Sequence, residues 1–237
     1  VSAMDPALLH TVQVMAKASG LRVLGCVEKP LTPGKLTTVL SVYETEAGAG
    51  AVDLDLEITL DQAREALARG DIEPWFQPQA EFSNGKIVGV EALARWRMAD
   101  GRMVPPTLFV PVMEAGGLID ELTNLMLVQS CAWWKRWQAR GLDLRISVNV
   151  SAQNLTGPEV ADRYEAVLRE HGLAPDQVVL EITESSVMSD TARGLGMLAR
   201  LRLKGFGLSV DDFGTGYSSL SQLSQIPFSA LKIDRGF

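Results

Sequence analysis

Predicted strands and helices alternate along most of this chain of 237 residues, and this alternation restricts the possible folds. Thr59 and Gln62 form a capping box for a helix that ends at Gly70. The predicted strands are 75–77, 87–96, 145–151, 178–184, 208–213 and 231–234, and the main predicted helices are 119–140, 159–170 and 191–204. Such alternation indicates parallel strands joined by crossover helices, in a barrel or a doubly wound sheet. No G-x-G-x-x-G turn follows the first strand, which weakens the doubly wound, dinucleotide-binding alternative.

Each predicted strand has one aliphatic face and one face with charged or amide side chains. In the strand 145–151, for example, Ser147, Asn149 and Ser151 share the face opposite the aliphatic residues, because side chains alternate with a period of two. The same pattern places one key polar residue on each of five consecutive strands: Glu91, Asn149, Glu181, Asp211 and Lys232. In a barrel the aliphatic faces pack under the helices, so we expect these five residues to converge near the C-terminal ends of the strands, where barrel active sites lie.

The five converging residues favour a metal site. Three carboxylates without a cation would repel one another, and a set of oxygen donors without thiol or imidazole suits a hard divalent ion. Asp212 follows Asp211 directly, so the two carboxylates could serve two neighbouring metals, and Lys232 could add a positive charge for a phosphate or an attacking water. Metal-assisted phosphoester hydrolysis is the reaction class that follows. Any one of these residues alone would more commonly be a surface or ion-pair residue, and only their repetition favours the site.

Composition excludes several other classes of function. The formal charge of −7 speaks against binding to duplex nucleic acid, which depends on Lys and Arg side chains. No apolar run approaches the length of about 18 residues that a membrane span needs, so no membrane partner is expected. Cys26 and Cys131 form no metal or disulfide pattern, and a reduced cytoplasm is the simplest setting.

The sequence predicts two domains. Residues 1–46 have a helix–strand–helix pattern in which Asp5-Pro6 and Thr32-Pro33 mark helix starts. Residues 47–58, which begin with an Ala- and Gly-rich run, are predicted to be a linker, and residues 59–237 form the second domain.

The second domain resembles the EAL-domain phosphodiesterases, which hydrolyse cyclic di-GMP. The resemblance rests on FQPQ, VGVEALARW, SVNVSAQNL, LEITES, DDFGTGYSSL and LKIDRGF, which occur in the family's order and at similar spacing. It implies a TIM-like (β/α)8 barrel whose first strand runs antiparallel to the others. It also implies Mg²⁺ or Mn²⁺, two ions in all, and the product linear pGpG.

By motif position, the resemblance assigns roles to individual residues. The metal ligands are Glu91, Asn149, Glu181, Asp211 and Asp212, and the catalytic residues are Lys232, Glu91 and Asp211. The residues that match substrate-contacting positions are Gln77, Leu93, Arg95 and Asp234. Every one of these positions holds the residue type of the active enzymes, which favours an enzyme.

A loop after Asp211 is expected to control the site. The resemblance implies that Glu184 steadies this loop, which includes Phe213, Gly214, Thr215 and Gly216, and that the loop is tied to dimerisation, so a homodimer or higher homo-oligomer is expected. Barrels of this kind run to about 250 residues. The resemblance therefore implies that the last strands, a later catalytic Glu and a substrate-contacting Gln lie beyond Phe237, and we expect the natural protein to continue there.

The first 46 residues resemble the C-terminal part of a response-regulator receiver domain, which has a flavodoxin-like fold. Lys29-Pro30 after a predicted strand matches the position of the phosphate-sensing lysine, and Ser2 matches a hydroxyl residue that responds to phosphorylation. The phosphoacceptor Asp would lie upstream. This resemblance implies a sensor histidine kinase as partner and phosphorylation as the regulator of the second domain.

Two alternatives remain open at the level of sequence. The chain could be a non-catalytic cyclic di-GMP sensor that signals through a protein partner. It could also be another Mg²⁺-dependent barrel enzyme that acts on a small acid with Lys232 as base.

Overall fold

The computed structural model describes residues 56–155, 157, 159–183, 191–213 and 227–233. The chain divides into two units, Val1–Leu56 and Glu57–Phe237, and the elements below belong to the second. The predicted receiver segment 1–46 and most of the predicted linker lie outside the described residues, so the domain boundaries stay predictions.

Five helices and seven strands make up the described part of the second unit. The helices are α1 (Leu60–Arg69), α2 (Pro106–Ala115), α3 (Ile119–Gln138), α4 (Glu159–His171) and α5 (Thr191–Leu203). The strands are β1 (Ile72–Ala80), β2 (Ile87–Arg97), β3 (Met103–Val104), β4 (Arg145–Asn149), β5 (Val178–Thr183), β6 (Gly207–Phe213) and β7 (Ala230–Ile233). There are also two short 3₁₀ turns: Ala152–Asn154 follows β4, and Pro175–Gln177 directly precedes β5.

Helix α1 begins and ends at the residues that the sequence predicts. The Thr59 hydroxyl accepts a hydrogen bond from the Gln62 backbone N–H at 3.3 Å, and the Gln62 side chain accepts one from the Thr59 N–H at 2.9 Å. Gly70 ends the helix with φ 75°, a left-handed conformation that favours glycine. Local capping chemistry is therefore sufficient to define both ends of this helix.

The sheet has mixed strand directions. Its order is β1-β2-β4-β5-β6-β7, with β3 paired to β2. Strand β1 runs antiparallel to β2, and every later pair along this path is parallel. The expected antiparallel first strand is confirmed, and the arrangement is consistent with a TIM-like barrel.

Prolines account for the largest differences from the predicted elements. Strand β1 has nine residues, whereas three were predicted. Proline is disfavoured inside a sheet, but Pro74 and Pro78 are tolerated in β1 because this strand lies at the end of the sheet order. Helix α2 was not predicted, since it begins at Pro106 and contains Pro111. The predicted strand residues Val150 and Ser151 belong instead to the turn after β4.

The aliphatic strand faces form the core, as predicted. Val90 and Ala92 of β2, Val148 of β4, Leu180 of β5 and Leu208 of β6 are each at most 5% exposed. Truncation of such a buried leucine to alanine typically costs about 2–5 kcal/mol of stability.

Strand β7 differs from the other strands. Its aliphatic residues Leu231 and Ile233 are 44% and 64% exposed, and in the described part of the chain no helix follows β7 to cover them. The described residues therefore leave this aliphatic face of β7 uncovered, and its packing under helices stays a prediction.

None of the described helices combines the length and the apolar character that crossing a membrane requires.

Cys131 provides a chemical test of the packing of α3. Its side chain is 1% exposed, and burial raises the pKa of its thiol to about 12. The reactive thiolate is therefore scarce at about pH 8, and the thiol is shielded. The Cys26→Ser substitution removes the other cysteine of this sequence, so labelling of Cys131 can be followed in the full-length protein. We expect an aromatic disulfide reagent to label Cys131 only after denaturation. Rapid stoichiometric labelling of the native protein would contradict this packing.

Candidate active site

Four charged side chains from four different strands meet at one point. The ammonium Nζ of Lys232 donates hydrogen bonds to Glu91 Oε2 at 2.9 Å, Glu181 Oε2 at 2.6 Å and Asp211 Oδ2 at 2.9 Å. Each of the three carboxylates offers one oxygen that lies within 4.8 Å of the other two. The structure therefore brings together the three acids and the lysine that the strand pattern predicts.

The fifth predicted residue, Asn149, joins this group through Glu91. Its Nδ2 donates to Glu91 Oε1 at 3.2 Å. The backbone N–H of Val150, the next residue, donates to the Glu181 carbonyl oxygen at 2.8 Å and extends the pairing of β4 with β5 past the end of β4. Because this hydrogen bond uses the amide nitrogen, the amide oxygen of Asn149 remains as a neutral metal ligand beside the carboxylates. Below, these five residues are called the acidic cluster.

The strand register explains why the acidic cluster forms. Glu91 is level with Ser147, so Asn149 lies two residues further along β4. Asn149 is level with Glu181, and Asp211 is level with Thr183, two residues beyond Glu181. Steps of two residues keep every side chain on the same face, and a stagger of this kind accompanies the strand tilt of a barrel.

Burial and charge make the acidic cluster electrostatically demanding. Glu181 is 2% exposed, and this burial, with the charge of Glu91 beside it, raises the pKa of its carboxyl despite hydrogen bonds from Lys232 and Ser147 that lower it. Burial also acts to lower the pKa of Lys232, but hydrogen bonds to the three carboxylates outweigh it and raise that pKa above its usual value. Lys232 therefore remains protonated and stabilises the carboxylates.

The donor set fits a hard divalent cation. One ammonium faces three carboxylates, so two negative charges remain uncompensated when all three acids are ionised. Carboxylate oxygens and the Asn149 amide oxygen are the ligand types that Mg²⁺ and Mn²⁺ prefer. Glu91, Glu181, Asp211 and Asn149 are therefore the residues that could hold such an ion.

Asp212 takes a different position from its neighbour Asp211. The group of three close carboxylates in the described residues does not include it. It is exposed and has φ 55°, a left-handed conformation that aspartate tolerates better than most residues. The pairing of β6 with β7 is irregular between Val210 and Phe213, and such bulges re-aim side chains beside active sites. A role of Asp212 in a second metal site stays a prediction.

A cavity of about 370 Å³ adjoins the acidic cluster. Leu93 and Arg95 from β2 line it together with Asn149 and Glu181, so two of the predicted substrate residues face the same space as two predicted ligands. Gln77 does not line this cavity, but it is exposed on β1 directly opposite Glu91 in the strand register.

Other predicted site residues lie outside this geometry. Phe213 is the last residue of β6 and is half-buried. Outside the described residues are Asp234, Glu184, Gly214, Thr215, Gly216, Lys29 and Ser2.

Sequence reasoning missed the groups that support the acidic cluster. Ser147 is 2% exposed, acts to lower the pKa of the neighbouring Glu181 carboxyl and accepts a hydrogen bond from Gln79 Nε2 at 3.3 Å. Its position on the polar face, one step before Asn149, was a usable signal. Glu114 gave no such signal, because its partner Ser151 lies 37 residues away. Asn154 has one nearby partner, the Ser151 N–H, but its contacts with Thr123 and Asp120 span 31 and 34 residues and gave no signal.

Comparison with known proteins identifies the family. The model of the EAL domain matches residues 60–237. This chain belongs to the EAL domain family. The cyclic di-GMP phosphodiesterase RocR of Pseudomonas aeruginosa is 34% identical over 242 residues, a match that covers 100% of this chain and 61% of RocR. The chain thus spans about three fifths of that relative.

A second protein of Pseudomonas aeruginosa, MucR, supports the assignment by sequence and by structure. The bifunctional diguanylate cyclase and cyclic di-GMP phosphodiesterase MucR is 40% identical over 196 residues, which cover 82% of this chain and 28% of MucR. The solved structure of the MucR phosphodiesterase with c-di-GMP superposes with a TM-score of 0.70 and 39% identity, covering 75% of this chain and 72% of that one. The expected EAL fold is confirmed, and Glu91 of the EAL tripeptide is part of the acidic cluster.

Proposed function

We propose that this EAL domain hydrolyses cyclic di-GMP to linear pGpG with the help of a divalent metal ion. The observation that carries the proposal is the acidic cluster, in which Lys232 Nζ lies within 2.9 Å of oxygens from Glu91, Glu181 and Asp211. RocR and NbdA, which is 37% identical over 178 residues, are both described as cyclic di-GMP phosphodiesterases. The MucR phosphodiesterase structure contains c-di-GMP.

Each residue of the site has a defined task in this reaction. Glu91, Glu181, Asp211 and Asn149 would hold the metal ion. When bound there, a divalent ion would supply polarisation of the phosphoryl oxygen and a more nucleophilic water. The Lys232 ammonium stabilises negative charge that develops as water attacks phosphorus. The attacking water loses a proton as its oxygen bonds to phosphorus, and the bond from phosphorus to the 3′ oxygen breaks. That 3′ oxygen takes up a proton and becomes a hydroxyl, so the protons balance.

The cavity beside the cluster suits a nucleotide. Arg95 is half-buried on its wall and can pair with a phosphate, while Leu93 supplies apolar surface for a base or ribose. Gln77 and Asp234 are proposed as further substrate contacts. The ion is proposed to be Mg²⁺ or Mn²⁺, with Asp212 as a ligand of a second ion.

Regulation is proposed to come from a receiver domain that includes residues 1–46. The RocR alignment covers the whole chain, and so extends over the residues that precede the EAL match. In this proposal a histidine kinase phosphorylates the receiver, Lys29 and Ser2 respond, and the arrangement of a homodimer and of the loop at 213–216 changes. The cytoplasmic setting stays a prediction from cysteine usage.

Metal removal gives the direct test of this proposal. We expect the full-length protein to convert cyclic di-GMP to pGpG in Mg²⁺, as measured by ion-pair chromatography. EDTA should abolish turnover, and excess Mg²⁺ or Mn²⁺ should restore it, because the carboxylates of the acidic cluster cannot polarise the phosphate by themselves. Tight binding of cyclic di-GMP without turnover in either metal would overturn the proposal and favour a non-catalytic sensor.

A further inference from the structure

A hydrogen-bonded network centred on Asn154 holds the turn that follows β4. This turn includes the short 3₁₀ segment Ala152–Asn154 and begins directly after Asn149, the amide of the acidic cluster. We propose that Asn154 is a positioning residue that fixes Asn149 against Glu91 and so sets the affinity of the cluster for its metal ion. The inference rests on the metal site of the proposed function.

Asn154 uses both ends of its amide. Asn154 is 3% exposed. The oxygen Oδ1 accepts from the Ser151 backbone N–H at 3.0 Å and from the Thr123 hydroxyl at 3.2 Å. The nitrogen Nδ2 donates to Asp120 Oδ1 at 3.1 Å. One buried amide therefore ties the turn to two residues of α3.

Helix α2 also holds the same turn, and helix α4 supports it through Asp120. The Ser151 hydroxyl donates to Glu114 Oε1 of α2 at 2.7 Å. The carboxylate of Asp120 accepts from Arg163 of α4, so the charge that faces Asn154 is itself paired. The turn is thus held directly by α2 and α3 through Ser151 and Asn154, and α4 contributes indirectly by pairing Asp120.

The network acts on Asn149 because little chain separates them. On one side Asn149 is paired with Glu181 in the sheet, and the Val150 N–H extends this pairing. On the other side the next anchored group is the backbone N–H of Ser151, whose acceptor is Asn154. Without that acceptor, a partly buried N–H lacks its partner and the turn must rearrange to satisfy it. The rearrangement moves the end of β4, where the Asn149 amide meets Glu91.

The chemistry required at position 154 is specific. Ser151 N–H and Thr123 O–H need an acceptor, whereas the Asp120 carboxylate needs a donor. An amide supplies both. A carboxylate of the same shape would supply the acceptor but would place a second negative charge against Asp120, so Asn154→Asp is expected to impair the turn as well.

The test is a double-mutant cycle on Mn²⁺ affinity, measured by calorimetry or electron paramagnetic resonance on the full-length protein. Partners that orient metal ligands typically account for about 10–100-fold in metal affinity, so Asn154→Ala is expected to weaken Mn²⁺ binding by that factor. If Asn154 acts through Asn149, Asn154→Ala combined with Asn149→Ala weakens binding no more than Asn149→Ala alone.

Two variants separate positioning from general destabilisation. Leu201→Ala removes a fully buried side chain of α5 away from the turn and is expected to lower the melting temperature without changing Mn²⁺ affinity. Thr123→Val removes one donor to Asn154 and is expected to give a smaller loss of Mn²⁺ affinity in the same direction. If Asn154→Ala does not fold, Thr123→Val replaces it in the double-mutant cycle with Asn149→Ala.

The outcomes distinguish this inference from the proposed function. Unchanged Mn²⁺ affinity in a folded Asn154→Ala or Thr123→Val variant would overturn the positioning role. The same conclusion would follow if the fold-losses of Mn²⁺ affinity in the two single variants multiplied in the double variant. Wild-type protein that binds Mn²⁺ but does not hydrolyse cyclic di-GMP would overturn the proposed function alone. Absence of Mn²⁺ binding by the wild-type protein would contradict both.

Discussion

Glu91→Gln is expected to lower the turnover of cyclic di-GMP by the full-length protein by more than about 100-fold. Loss of a group that merely orients a metal ligand already costs about 10–100-fold, and Glu91 is one of the three carboxylates of the cluster itself. The amide has nearly the same shape but lacks the charge, so the change removes a negative ligand without creating a cavity. Steady-state hydrolysis in saturating Mg²⁺ measures the effect.

Glu65→Gln is the matched control for this variant. It makes the same chemical change on the exposed face of α1, where Glu65 pairs only with Arg69 among the ion pairs of the described residues. Exposed pairs of this kind contribute about 0–1 kcal/mol, so activity and stability should stay close to wild type. Turnover by Glu91→Gln within about twofold of this control would remove Glu91 from the metal site.

Lys232→Met is expected to separate metal binding from catalysis. Turnover should fall by at least about 100-fold, because a group that stabilises developing negative charge accounts for about 10²–10³ in rate. Binding of Mn²⁺ should be retained or tightened, since the three carboxylates lose the ammonium that neutralises them. In EDTA the variant should melt at a lower temperature than wild type, and Mn²⁺ should reduce this difference by replacing the lost positive charge.

Lys204→Met is the matched control for this second variant. Lys204 also pairs with two carboxylates, Asp162 and Glu165 of α4, but outside the acidic cluster. The control should lower the melting temperature equally in EDTA and in Mn²⁺ and should leave turnover unchanged. Wild-type turnover by Lys232→Met, or an equal response of both variants to Mn²⁺, would contradict the role assigned to Lys232.

The convergence of the acidic cluster could be predicted because it depends on a local rule. Side chains alternate along every strand, so one polar face per strand is visible in the sequence, and Glu91, Glu181 and Asp211 were found in this way. Thr59 and Gly70 of α1 were equally predictable, since caps depend on neighbouring residues.

What could not be predicted depends on contacts between distant residues. The register that steps by two residues from Glu91 to Asn149 is set by strand pairing across helices, which no local pattern shows. Asn154 meets Thr123 and Asp120 over separations of 31 and 34 residues. The prolines of β1 and α2 made the local rules predict too little regular structure. Whether a proline is tolerated depends on the position of the strand in the sheet and on the start of the helix.

The lysine shows how electrostatics adds to the local pattern. The sequence placed Lys232 on the polar face and suggested a charge for the phosphate or the attacking water. The structure places its ammonium in contact with all three carboxylates, so Lys232 also balances the charge of the site. Charge balance of this kind follows from the assembled geometry, since two of these acids lie 51 and 141 residues from the lysine.

A crystal structure of the full-length protein with Mn²⁺ tests the central claim most directly. The claim is that the acidic cluster holds the ion that supports hydrolysis. The account predicts an anomalous difference peak within bonding distance of Glu91, Glu181 and Asp211, with the amide oxygen of Asn149 as a further ligand. A fully occupied Mn²⁺ site elsewhere, with the contacts of Lys232 to all three carboxylates intact, would contradict it.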